Sequence, residues 1–244
     1  MSGDADLAAV SALVAEPRRC RILLTLGDGR ALPASVLASE CGIAASTASA
    51  HLAKLVDGGL LRVEAHGRYR YYRLAGPEVG ALLEALAQLA PRHEIRSLRE
   101  DTRQRQQRDG RLCYDHLAGR LGVTVFQHLL AEGAVTGHDG SFRPGVDTLS
   151  ARGHGDLYRA GGGSSGLLDA LAIDVDAVAA STSRPLTGFC VDWTEQQHHL
   201  SGALGAAVAS SMFDRGWLER AGRGRAVHLT AVGRRELERL QLAA

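Results

Sequence analysis

The sequence predicts a mainly α, α+β fold divided between two domains. Three observations support that expectation. Apolar residues keep helical spacing through most of residues 5–57. The spacing then becomes strand-like across residues 60–74, with a glycine-containing tip between two runs. A Leu-x-x-x-x-Gly pattern also recurs, at Leu37–Gly42, Leu117–Gly122 and Leu200–Gly205.

Leu7, Val10, Leu13 and Val14 mark a first helix over residues 5–14. Pro17 suits the start of a second, over 16–26, whose inward stripe is Ile22, Leu23 and Leu26. Gly27-Asp28-Gly29 turns the chain. Pro33 opens a short third helix, broken at Cys41-Gly42-Ile43. Ser46 and Thr47 stand at the first turn of the next helix, where a hydroxyl can cap free amides. Ala48, Leu52, Leu55 and Val56 form its apolar face, and Asp57-Gly58-Gly59 ends it. Leu60–Glu64 and Tyr69–Leu74 read as strands joined by Ala65-His66-Gly67-Arg68. This order is that of a winged helix-turn-helix. Residues 78–90 form one more helix, with Val79, Leu82, Leu83, Leu86 and Leu89 on its apolar face, interrupted by Pro91.

Residues 92–111 are rich in Arg, Gln and Glu and poor in apolar residues, which predicts a charged helical linker. The expected domains are therefore 1–91 and 112–244. In the second, the repeated pattern is followed by a helical run ending at Gly133 or Gly216, as the first copy ends at Gly59. The third copy continues into a wing-like hairpin around Gly222-Arg223-Gly224-Arg225 and a terminal helix from about Ala231. These features predict two degenerate helix-turn-helix or winged units packed as one domain. The interval between the two glycines is 17 residues in the first copy and 11 in the others. That difference predicts later helices about six residues shorter.

Several classes are excluded on composition. The chain has 244 residues, 45% hydrophobic and 23% charged, enough for a sizeable core. No run of 18 apolar residues occurs, and the acidic start Met-Ser-Gly-Asp-Ala-Asp is followed by no signal-like apolar region. Cys20, Cys41, Cys113 and Cys190 are too few and too spread for a disulfide scaffold, so the expected compartment is the reducing cytoplasm. The net charge of +1 is unevenly distributed: residues 16–76 hold nine Arg or Lys against five Asp or Glu, and residues 113–244 hold twelve against fourteen. A basic excess at one end is an electrostatic footprint for nucleic acid.

In a helix-turn-helix the second helix enters the major groove and shows short polar groups to base edges. Ser46, Thr47, Ser49, His51 and Lys54 are the candidates, with Ala44, Ala45 and Ala50 small enough for close approach. On the hairpin, Arg62, His66, Arg68, Arg70 and Arg73 can reach phosphates or the minor groove. A solvated amphipathic helix with an exposed hairpin would show any one of these features, but not the ordered set.

The stretch Ser46-Thr47-Ala48-Ser49-Ala50-His51-Leu52-Ala53-Lys54-Leu55-Val56-Asp57-Gly58-Gly59-Leu60-Leu61, with the later Gly67-Arg68-Tyr69-Arg70-Tyr71-Tyr72-Arg73-Leu74, resembles the ArsR-type winged-helix transcriptional regulators. The resemblance covers residues 5–90. It implies a homodimeric, usually repressive, operator-binding protein relieved by a metal or small molecule, with the dimer built from residues 5–14 and 78–90. Two departures matter. Arsenic-sensing members carry Cys-x-Cys at the start of the third helix, where this chain has Pro33 and Ser35. Zinc-sensing members use Asp, His and Glu on the last helix, and residues 78–90 offer Glu78 and Glu84 with no His or Cys. Neither metal site carries over, and the second domain is an addition to the family's usual length.

That second domain holds Cys113-Tyr114-Asp115-His116, then Cys190-Val191-Asp192-Trp193 and His198-His199. His116 and His199 occupy the same place in the two copies, whereas Cys113 and Cys190 do not align in the linear sequence. Cys113, His116, Cys190, Trp193 and His199 are thus candidates for a ligand pocket, a metal site or a redox sensor. The plainer reading is buried cysteines and polar helix starts. The helices at Val123–Ala131 and Ala206–Phe213 are apolar, which suits burial, and the domain's negative charge opposes DNA. It is expected to modulate the first domain. No phosphate loop, nucleophile elbow or metalloprotease motif occurs, so no catalytic residue, metal or cofactor is assigned. The residues point to a cytoplasmic DNA-binding regulator, a dimeric repressor relieved by an effector, with double-stranded DNA as partner. The alternatives are a winged-helix protein-interaction module, or a sensor using Cys113, His116, Cys190 and His199.

Overall fold

The computed structural model describes residues 5–67, 69–91, 97–143, 157–163, 165–222 and 224–242. The chain forms two compact units that divide between Leu83 and Glu84, inside a helix that the sequence places wholly in the first domain.

The first unit runs α1 (Leu7–Ala15), α2 (Pro17–Thr25), β1 (Leu32–Pro33), α3 (Ala34–Cys41), α4 (Ala45–Asp57), β2 (Leu61–His66), β3 (Tyr69–Leu74) and the start of α5 (Pro77–Leu89). The Asp6 carboxylate caps α1 by accepting from Ala9 N at 3.0 Å, and Glu16 caps α2 by accepting from Arg19 N at 2.8 Å. Gly42 closes α3 in the left-handed region, φ +64°, where a Cβ would be strained. Ala44 is the N-cap of α4, so Ser46 and Thr47 lie inside the helix and cannot act as its cap; a capping side chain must precede the first helical residue. The sheet order is β1-β3-β2, with Leu32 opposite Tyr72. Ile22, Leu23, Leu26, Leu37, Ala48, Leu52, Leu55 and Leu74 are fully buried and form the core. Each buried leucine or isoleucine contributes about 1.5–3 kcal/mol. Among them, Ile22, Leu23 and Leu26, and Ala48, Leu52 and Leu55, are the residues whose spacing defined the second and fourth helices.

The second unit contains the remainder of α5, then α6 (Leu98–Asp109) and two similar segments. In the first segment, β4 (Arg111–Cys113) and β5 (His116–Ala118) form a hairpin that leads into α7 (Gly119–Ala131). After β6 (Val135–Gly137), β7 (Tyr158–Ala160), α8 (Gly166–Ala170) and α9 (Val175–Ala180), the hairpin recurs as β8 (Gly188–Val191) and β9 (His198–Ser201), leading into α10 (Gly202–Asp214). The chain ends with the wing-like hairpin β10 (Leu218–Arg220) and β11 (Val227–Leu229), and α11 (Ala231–Arg239). α7 packs on β5 and β9, and α10 packs on β9 and β5, so each helix covers both hairpins. Phe126, Leu129, Leu204 and Met212 form the shared core.

Two expectations are corrected here. A β-hairpin stands where a helix-turn-helix would have its first helix. The later helices are not shorter: α4, α7 and α10 each have 13 residues. The glycines have different roles. Gly42 lies before α4, whereas Gly122 and Gly205 lie inside the first turns of α7 and α10. There a Cβ would sit 2.5 Å from the Leu117 carbonyl oxygen and 2.7 Å from that of Leu200. Among the described residues no helix is long and apolar enough to cross a membrane.

Candidate functional site

In the first unit, α4 turns Ala48, Leu52 and Leu55 inward and leaves Ser46, Ser49 and Lys54 exposed, with Thr47 half-buried. Ser46 and Ser49, three residues apart, share one helix face. Ser49 Oγ donates to the Ala45 carbonyl at 3.0 Å, which leaves its lone pairs for a donor on a base edge. On the β2–β3 hairpin, Arg62, His66 and Arg70 are exposed, and the His66 ring packs edge-on against Tyr71 at 5.6 Å. Arg68 lies outside the described residues.

Two of the expected contact residues have partners within the unit. His51 Nδ1 lies 3.6 Å from Glu16 Oε2, and the ring is largely covered. Position 51 falls three residues after Ala48 and four before Leu55, so it shares the inward face, a signal already present in the spacing. Arg73 is half-buried and donates from Nη1 to Glu64 Oε1 at 2.9 Å, which neutralises its charge locally. It also stands directly opposite Arg62 in the hairpin.

In the second unit, Cys113, His116, Cys190 and His199 converge, with all four ligand atoms within 4.8 Å of one another. Cys113 is the register partner of His116, and Cys190 of His199. The two cysteines are therefore structurally equivalent, a correction to the linear alignment, which missed the match because the hairpin loops differ in length. His116 Nε2 lies 3.7 Å from Cys190 Sγ, and the two imidazole rings are 5.3 Å apart. A hydrogen bond to Cys190, together with burial, pushes the Cys113 thiol up to about 12. Burial lowers the pKa of His199, but the neighbouring Asp192 and Cys113 outweigh it and raise the imidazole to about 9. Trp193 is not among the four: its ring lies under the Arg111 guanidinium, 5.0 Å from the centroid.

Beside this cluster lies a buried ionic network that the sequence did not reveal. Arg111, fully buried, donates from Nη2 to Glu84 Oε2 at 2.8 Å and Asp192 Oδ2 at 3.1 Å. Arg225 Nη1 donates to Glu84 Oε1 at 2.7 Å. Burial raises Glu84, but Arg111 and Arg225 prevail and hold it at about 2. Asp192 also accepts from Gly119 N at 2.6 Å and from Thr194 N and Oγ1 at 2.9 and 2.6 Å, which fixes its carboxylate. His198, next to His199 but on the opposite strand face, bonds Tyr158 Oη at 2.7 Å and stacks on Phe189 at 4.2 Å.

The chain is similar in sequence to known proteins. A family described as a helix-turn-helix domain matches residues 14–64. The chain is 35% identical over 234 residues, 96% of each chain, to the uncharacterized HTH-type transcriptional regulator YdfF of Bacillus subtilis. It is 36% identical over 86 residues to the HTH-type transcriptional regulator CmtR of Mycobacterium tuberculosis, covering 35% of this chain and 72% of that protein. Among solved structures, HlyU from Vibrio cholerae is 32% identical, covers 34% of this chain and 88% of its own, and gives a TM-score of 0.32.

Proposed function

The chain belongs to the ArsR-type helix-turn-helix transcriptional regulators, DNA-binding proteins that control transcription, and we propose that it acts as a homodimeric repressor in the cytoplasm. The observation that supports this reading best is the exposed set Ser46, Ser49 and Lys54 on α4, followed by Arg62 and Arg70 on the adjoining hairpin. In this reading Ser46, Thr47 and Ser49 meet base edges, and Lys54, Arg62, Arg68 and Arg70 meet phosphates or the minor groove. His51 positions α4 through Glu16 and does not read a base.

Two α4 helices on a palindromic site must enter major grooves about 34 Å apart, which requires a dimer. The exposed apolar residues on the helices expected to form it are Leu7 on α1, 74% exposed, and, separately, Leu86 and Leu89 on α5, 39% and 75% exposed. Val79 and Leu83, expected on that face, are buried instead. An effector acting on the C-terminal unit relieves repression.

The test is selection of binding sites from random DNA by the purified full chain, followed by affinity measured against salt. One enriched, near-palindromic sequence bound with a steep salt dependence is expected, because neutralised phosphates release counterions. Failure to enrich any sequence, with weak and salt-independent binding, would replace this reading with the protein-interaction module.

A further inference from the structure

Each hairpin of the C-terminal unit sets one cysteine beside one histidine. Register partners on an antiparallel pair point to the same face, so β4–β5 presents Cys113 with His116, and β8–β9 presents Cys190 with His199. Packing of the hairpins brings the two pairs together, all four ligand atoms within 4.8 Å. The 3.7 Å between Cys190 Sγ and His116 Nε2 matches a tetrahedral edge of about 3.6 Å, given metal–sulfur and metal–nitrogen bonds of about 2.3 and 2.0–2.1 Å.

The imidazoles are also oriented for a ligand. His116 Nδ1 faces Asp115 Oδ1 at 3.3 Å, and His199 Nδ1 faces Asp192 Oδ2 at 3.4 Å. A carboxylate at Nδ1 favours the tautomer that leaves the Nε2 lone pair for a metal. Both carboxylates are themselves held, Asp115 by Arg184 and Asp192 by Gly119 and Thr194. His199 is fully buried, and neither of its ring nitrogens completes a hydrogen bond among the described residues, although Nδ1 faces Asp192. Gly205 makes room for His116, since a Cβ there would lie 3.3 Å from the His116 Cβ.

We propose that Cys113, His116, Cys190 and His199 bind one four-coordinate Zn²⁺ ion that clamps the two hairpin–helix segments of the C-terminal unit together. Two thiolates and two imidazoles form a borderline-soft tetrahedral set, suited to zinc and unsuited to magnesium or calcium. Four protein ligands close the coordination shell, so the ion is structural or regulatory and offers no position to a substrate. On binding, the two thiol protons, together with any proton on the imidazole nitrogens that take up the ion, pass to solvent as two zinc–sulfur and two zinc–nitrogen bonds form.

The test uses the full chain, purified with reductant, stripped with chelator and titrated with Zn²⁺ or Co²⁺. One ion per chain is expected, with the intense visible bands of tetrahedral Co²⁺ and a thiolate charge-transfer band. Cys190→Ser should cut that band to roughly half, as one of two thiolates is lost. Asp115→Asn, which alters a positioning residue, should weaken zinc affinity about 10–100-fold. Cys20→Ser with Cys41→Ser should change neither reading. The wild-type cobalt spectrum does not depend on any variant folding. The proposal is overturned if the wild-type chain retains no zinc and gives no tetrahedral cobalt spectrum, or if the charge-transfer band survives in the Cys113→Ser, Cys190→Ser double variant. A Cys113–Cys190 disulfide in anaerobically purified protein, or uptake of Cu⁺ with refusal of Zn²⁺, also overturns it.

Discussion

Replacing Glu84 by glutamine removes the shared carboxylate between Arg111 and Arg225 while keeping side-chain size. Arg111 keeps Asp192, but Arg225 loses the carboxylate 2.7 Å from its Nη1. Removing one partner of a buried ion pair costs about 3–5 kcal/mol, because the other charge remains buried without compensation. The surviving Arg111–Asp192 contact places this case at the lower end, about 3 kcal/mol. The lowering of Glu84 to about 2 leads to the same size, since one pKa unit corresponds to about 1.4 kcal/mol. In a unit of this length, that lowers Tm by about 6–12 °C. Both tryptophans, Trp193 and Trp217, lie in the second unit, so fluorescence-detected thermal unfolding of the full chain reports that unit alone. The pH dependence has a definite sign. Glu84 is depressed in the folded state, so its contribution is complete above its unfolded value of about 4.3 and is lost as pH falls towards about 2. Glu84→Gln should flatten that acid-side loss. The double change Glu84→Leu, Arg225→Met should recover part of the stability, because apolar replacements of buried pairs are often neutral. A Glu84→Gln shift below about 1 °C, or a gain, would refute the reasoning.

Ser46→Ala with Ser49→Ala should change the preferred DNA sequence, whereas Arg62→Ala or Arg70→Ala should weaken binding to all sequences and reduce the salt slope by about one; site selection and salt titration separate the two. Leu86→Glu with Leu89→Glu should give a monomer by sedimentation with poor affinity for a palindromic site, and a monomer of full affinity would reject the proposed dimer face. Gly233→Ala should destabilise the second unit by about 1–3 kcal/mol, read by Trp fluorescence, because its Cβ would lie 2.9 Å from Trp217 Cα.

The first unit was legible wherever one local rule decided the outcome. Ile22, Leu23 and Leu26 on α2, and Ala48, Leu52 and Leu55 on α4, repeat at helical intervals and are buried. The hairpin followed from alternation around Gly67, which sits at φ +60°. β1 was missed because two residues ending in Pro33 carry no periodicity; its pairing with Tyr71 and Tyr72 is set by tertiary packing. In the second unit α7, α10 and α11 were legible, whereas α8 and α9, of five and six residues, were not, nor were the hairpins before α7 and α10, because three- and four-residue strands are too short to show alternation. The equivalence of Cys113 and Cys190 was hidden for a different reason. Antiparallel pairing sets Cys beside His whatever the loop length, and a linear alignment anchored on glycines cannot register that. Glu84 offered no signal, since its partners Arg111 and Arg225 are distant in sequence.

The paired histidines of β9 bear on how the strand finds its register. A one-residue slip exchanges the two faces of a strand, and such errors are ordinarily penalised because a polar side chain enters the core. Here His198 and His199 are neighbours, so a strand slipped by one residue would still offer an imidazole at one of their two places, to Tyr158 or to the cysteines, and would set Gln197 or Leu200 at the other. The flanking positions supply the rest of the discrimination. Leu200, 4% exposed, would leave the core for the polar side. At the start of α10, Gly202 holds φ +83°, and a Cβ there would meet the Pro185 and Leu186 carbonyl oxygens at 2.8 and 2.9 Å. Slippage would bring Ser201 or Ala203 to that point, where neither fits. The fidelity of the hairpin therefore rests largely on a glycine after the strand, because the paired histidines penalise a slip at only one of their two places.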